Sequence, residues 1–120
     1  MKNFDWLLNC AYNEAHKKTF HATVQSRLRI LAIIELQLDP STFDVRSNKG
    51  GVAVSGEITL HHDRVYVQVS QPFGGSEMGI LIRTCNGRRD YTGGHNNFAS
   101  LTLLNDLPTL AARVRAVMGE

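Results

Sequence analysis

Cys85, Asp90 and His95 fall within one short stretch of the chain, and a thiol, a carboxylate and an imidazole are the parts of a nucleophile, an orienting acid and a base. Closeness along the chain is weak ground for such an assembly, because cysteine–histidine pairs ordinarily meet from distant segments. No helix start follows Cys85 to stabilise a thiolate. A small enzyme using Cys85 and His95 is therefore kept as an alternative reading, and Cys85 is read first as a small residue on a strand. His61, His62 and Asp63 raise the question of a metal. Neighbouring strand residues point to opposite faces and no HxxxH or CxxC spacing supports a site, so neither a metal nor a cofactor is expected.

The stretch 86–97 is dense in polar residues and glycine, more than a plain connection requires, and long irregular loops in compact domains tend to be functional or mobile. Arg88 and Arg89 supply forked guanidinium donors suited to carboxylate or phosphate, and Gly93 and Gly94 allow close backbone approach. Asp90, Tyr91 and His95 complete the candidate set in this loop. Neither GxxxxGK[ST] nor a GxGxxG after a strand is present, so this is not a nucleotide-phosphate signature.

A second candidate surface is the polar face of the central sheet, carrying Arg46, Glu57, Thr59, Tyr66, Gln68 and Arg83. With a turn at His62-Asp63, Thr59 is expected opposite Tyr66 and Glu57 opposite Gln68, a polar row with Glu57 and Arg83 as charged anchors. The plainer reading is that an antiparallel sheet wets its second face. Arg46, Lys49, Arg83, Arg88 and Arg89, with Tyr66 and Tyr91 as stacking residues, also allow a single-stranded nucleic-acid module, although no RNP-like string occurs.

These residues need elements to hold them. Phe4, Leu7, Leu8, Ala11 and Ala15 follow helical spacing, with Asn3 as cap, and His16 to Thr19 interrupts the stripe. Residues 20–38 fit both periods: alternation from Ala22 to Leu38 suits a strand, whereas Phe20, Val24, Leu28, Leu31, Ile34 and Leu38 make a helical stripe. A strand of that length would be about three times the mean, so a helix is expected, ending at Asp39-Pro40. Beyond Pro40 the period becomes two. Strands are expected at Thr42–Arg46, Val52–Leu60, Val65–Ser70 and Met78–Arg83, the middle pair as a hairpin. Their inward set is Val52, Val54, Ile58, Leu60, Val65, Val67, Val69, Ile80 and Ile82. Phe98–Leu104 suits either a short helix or another strand. Asp106, Pro108 and the stripe Leu110, Ala111, Val114, Val117 and Met118 announce a C-terminal helix.

The expected fold is thus α+β: an N-terminal helical segment, a four-stranded antiparallel meander, and a C-terminal helix packed on one face. At 120 residues with 42% hydrophobic and 20% charged, the chain is read as a single domain, 1–120, with no linker or repeat. A net charge of +2 permits an anionic partner without the basic loading of a dedicated nucleic-acid binder. Cys10 and Cys85 are read as free thiols in a reducing compartment. The N-terminus has no apolar signal region and Ile30–Leu38 is too short to span a bilayer, so a cytoplasmic location and no membrane partner are expected. A helix continuous from Phe4 to Leu38 would run about 52 Å, longer than the body of such a domain, which motivates a homodimer. The leading expectation is a non-catalytic binding domain meeting an unidentified protein or anionic ligand through the 86–97 loop and the outer sheet face.

Overall fold

The computed structural model describes residues 13–51, 54–71, 77–90 and 92–119. Asn13 is extended (φ −140°, ψ 105°) and its side chain accepts from the His16 amide at 3.0 Å, capping helix α1, Glu14–Ile30. Phe20, Val24, Leu28 and Leu31, on one stripe, are fully buried. The helix runs on through His16–Thr19, where the interrupted stripe suits a break or a kink with a solvated basic patch, because Lys17 is itself buried and its ammonium donates to the Gly51 carbonyl at 3.0 Å. A π-helical turn, Leu31–Glu35, follows, with the Leu36 amide donating to the Leu31 carbonyl at 2.8 Å. Gln37, at φ 55°, then leaves the helix, and Asp39 caps a 3-10 turn over Pro40–Thr42. Residues 20–35 are therefore helical, as the longer template required, and 36–38 are not. The helix expected from Phe4 lies outside the described residues except for its last positions. The extended Asn13 and the left-handed Gln37 also remove the premise of one unbroken helix to Leu38, and with it the length argument for a homodimer.

Among the described residues the sheet has five strands, not the four expected, in the order β1 Phe43–Asn48, β2 Glu57–His62, β3 Val65–Val69, β4 Ile80–Thr84 and β5 Asn97–Ala99, each antiparallel to its neighbour. The meander is as expected; β5 is the addition. Phe98–Leu104 splits between the two templates that competed for it, since Ala99 ends β5 and Leu101–Asn105 is a 3-10 turn.

Both helices lie on the apolar sheet face, where α1 packs on β1 and β2 and the C-terminal helix α2, Leu107–Met118, packs on β3 and β4. Ile58, Leu60, Val65, Val67, Val69, Ile80 and Ile82 are buried there with Leu110, Ala111 and Val114 of α2. Val52 lies outside the described residues. Val54 is a correction: it is exposed, because Gly56 at φ 70° turns the chain before β2 begins at Glu57. A Cβ at Gly56 would meet the Asn48 carbonyl oxygen at 2.3 Å, so only glycine fits that turn. At the other end, the Asp106 carboxylate accepts from the Thr109 amide and Gly119, at φ 85°, closes α2 in the left-handed conformation. Among the described residues no helix is long and apolar enough to cross a membrane.

Candidate functional site

The β2–β3 connection is Asp63-Arg64, one position later than expected, because His61 and His62 both belong to β2 and face opposite ways. The polar row is shifted accordingly. Thr59 pairs with Gln68 rather than Tyr66, His61 pairs with Tyr66, and Glu57 pairs with Asn48 of β1 rather than Gln68. The alternation is as anticipated, with Asp44, His61, Tyr66 and Arg83 in one row across four strands and Arg46, Thr59, Gln68 and Leu81 in the next, but this is not the wetted face expected, since Thr59, His61 and Tyr66 are buried.

That first row is held by specific contacts. The Arg83 guanidinium lies 4.9 Å from the centre of the Tyr66 ring, a cation–π arrangement, and His61 meets the same ring edge-on at 5.2 Å. The Tyr66 hydroxyl donates to Gln68 Oε1 at 2.8 Å, and His61 Nε2 shares a 2.8 Å hydrogen bond with the Thr59 hydroxyl. Burial holds the His61 pKa below its usual value, Arg46 adding to this and Asp44 opposing it, so the ring is neutral near pH 7. Tyr66 is only 5% exposed. It is a pillar of the face and offers no open ring on which a base could stack.

The 86–97 loop is folded onto this end of the sheet. Gly87 and Asp90 bridge each other, and Asp90 accepts from the Thr92 amide at 3.3 Å, the Thr92 hydroxyl at 2.5 Å and the Asn86 side chain at 3.3 Å. Those donors, the Thr92 hydroxyl foremost, hold the Asp90 carboxyl below the usual carboxylate range. Arg88 reaches back to Asp63 at 3.8 Å and Asp44 at 4.0 Å, while Arg83 donates to Asn96 at 3.4 Å. Arg89 and His95 are exposed. The structure thus brings Tyr66, Arg83, Arg88 and Asp90 to one end of the molecule. Glu57 sits at the opposite end of β2 and does not join them, and Tyr91 lies outside the described residues.

Cys85 donates its S–H to the His62 carbonyl at 3.2 Å, and burial raises its pKa, so it is a protonated thiol near neutrality. No described hydrogen bond joins it to His95, which instead lines a cavity of about 380 Å³ with Thr84 and Gly94. Among the described residues no three histidine, cysteine or acidic side chains converge in a metal-binding group.

Three features escaped the residue pattern. Asp44 and Asp63 anchor Arg88, and Asn96 meets Arg83 of β4; only the fold shows these meetings. His21, fully buried on α1, is held by the Ser55 carbonyl at Nε2 (2.7 Å) and by Ser47 Oγ at Nδ1 (2.8 Å). A carbonyl only accepts, so Nε2 carries the proton and Ser47 donates to Nδ1. Read from its type as a polar position on a helix flank, His21 is instead buried, and its spacing from Lys17, Val24 and Leu28 is the signal that could have found it. The third is a groove beside β5, lined by Ile82, Asn97, Phe98, Ala112, Arg113 and Ala116 among others, with a volume of about 650 Å³.

Comparison with protein-family models, curated proteins and solved structures returned no match for this chain.

Proposed function

We propose that the protein is a non-catalytic binding domain that meets an anionic partner protein with the 86–97 loop and the adjoining end of the outer sheet face. One observation carries this reading. The loop backbone is fixed by the Gly87–Asp90 bridge, the Asp90–Thr92 turn and the Arg88 and Arg83 contacts, yet Arg89 and His95 stand exposed on it. A loop ordered before binding loses little entropy when it binds. The protonated thiol of Cys85 supports a role without covalent chemistry. The reading carries with it a single domain acting in the cytoplasm.

Fluorescence anisotropy of a labelled deca-glutamate peptide tests it. The reading expects binding that weakens as salt rises and falls at least fivefold in the Arg88→Ala/Arg89→Ala variant. Binding that is unchanged in the variant, or absent at low salt, contradicts it. A labelled oligothymidylate bound more tightly than the peptide would favour the nucleic-acid reading instead, against the burial of Tyr66.

A further inference from the structure

We infer that the groove between β5 and α2 is a second binding site, which takes an extended peptide as an added strand and holds a carboxylate of that peptide on Arg113. The groove follows from how α2 sits. Leu110, Ala111 and Val114 turn its buried face onto β3 and β4, so the adjoining face, with Ala112, Arg113 and Ala116, overhangs the sheet edge. Two alanines four residues apart leave room there that larger side chains would fill.

The space has the size and shape such a ligand needs. The main cavity is about 650 Å³, within the usual range for binding sites, and the cavity lined by His95 and Gly94 shares Asn97, Ala116 and Val117 with it. The two lie side by side along β5. Ile82 and Val117 are apolar lining.

Two observations select the occupant. First, β5 is the last strand of the sheet: one side pairs with Ile80–Ile82 of β4, and among the described residues no strand pairs with the other. An unpaired edge beside an apolar trough is the arrangement in which a peptide adds as a strand and lodges alternate side chains in the groove. Second, Arg113 is exposed at the groove and has no ion pair or hydrogen bond among the described residues. Its neighbour Arg115 is committed to the Glu35 carbonyl and Arg27 to the Leu104 carbonyl, whereas the Arg113 fork is free to take a carboxylate.

The test uses two pools of fluorescein-labelled hexapeptides in which valine, leucine or phenylalanine alternates with serine or threonine, with one glutamate per peptide in the first pool and glutamine at that position in the second. The glutamate pool should bind the whole protein at least fivefold more tightly than the glutamine pool. Arg113→Ala should erase that difference, and Ala112→Trp, which fills the trough from an exposed helix position, should abolish binding. Arg88→Ala/Arg89→Ala should leave binding unchanged, which separates this site from the loop arginines. Amide protons of residues 97–99 should exchange more slowly in the complex. Should Ala112→Trp misfold, Arg113→Glu serves, and is expected to reverse the preference between pools. No binding of either pool, equal binding of the two, or binding that survives in both groove variants overturns the inference. So does a wild-type dimer in light scattering that Ala112→Trp dissociates, which would place a second copy of the chain in the groove.

Discussion

Replacing His21 by glutamine should lower stability at neutral pH and reduce the further loss that acid brings. The His21 ring is fully buried, donates to the Ser55 carbonyl and accepts from Ser47. A glutamine amide cannot reach both partners, and an interior carbonyl left without its donor costs about 1–3 kcal/mol. The pH effect follows from the lowered pKa of the ring. Burial is the main cause, Lys49 and Lys17 add to it, and the Ser55 carbonyl and Glu57 oppose it. Below the ordinary histidine value of about 6.5 the unfolded chain takes up a proton that the folded one does not. Stability therefore falls as pH drops from there to the folded pKa, and levels off below it. The slope is at most about 1.4 kcal/mol per pH unit for each such histidine. His61 behaves in the same direction, so the variant keeps that part of the acid loss and gives up the part that belongs to His21. Urea unfolding at pH 7.5 and 5.5, at constant ionic strength, measures both losses, and every other titrating group cancels in their difference. The wild type should lose more than His21→Gln, by up to about 1.4 kcal/mol over that unit below 6.5. Equal losses would refute the assignment of a neutral, buried His21.

Gly94→Ala should loosen the loop: at φ 67° its new Cβ would stand 2.4 Å from Thr84 Oγ1 and 3.1 Å from the Thr84 backbone. The left-handed conformation alone costs about 1–2 kcal/mol, so a melting temperature lowered by roughly 4–8 °C is expected, at about 4 °C per kcal/mol. Gly87→Ala, with nothing within 4 Å, serves as the control and should lie within about 0.5 kcal/mol of wild type. Cys85 should react with iodoacetamide at pH 7.5 more slowly than free glutathione, and faster as pH rises toward its raised pKa. Labelling that outpaces glutathione would return the thiol to the candidate nucleophiles.

What could be read from the chain was whatever rests on local rules. Asp106, Pro108 and the stripe through Leu110 and Val114 mark the start and the buried face of α2, and alternation from Ile58 to Val69 gives the buried face of β2 and β3. Errors arise where a tertiary contact overrides the local pattern. Lys17 is buried against Gly51 from a distant loop, so a polar run that reads as a helix break is helix. Hydrophobic alternation stops at Leu60, but pairing runs on through His61 and His62, which moves the turn and with it the register. Val54 keeps the alternation and still faces solvent, because the chain turns at Gly56. β5 is three residues long and is defined by pairing with β4 alone. The candidate site was legible as residue types, Arg83, Arg88 and Asp90 among them, but their partners Asp44, Asp63 and Asn96 come from other strands and turns, and no spacing announces them.

The most direct test of the binding reading is an amide proton–nitrogen NMR titration of the labelled protein with deca-glutamate, which reports where the anionic chain lands. The account predicts shift changes concentrated at Arg83, Arg88, Arg89, Asp90, His95 and Asn96. Changes concentrated instead at Lys18, Lys49 and the other residues around His21, with the 86–97 loop silent, would contradict it.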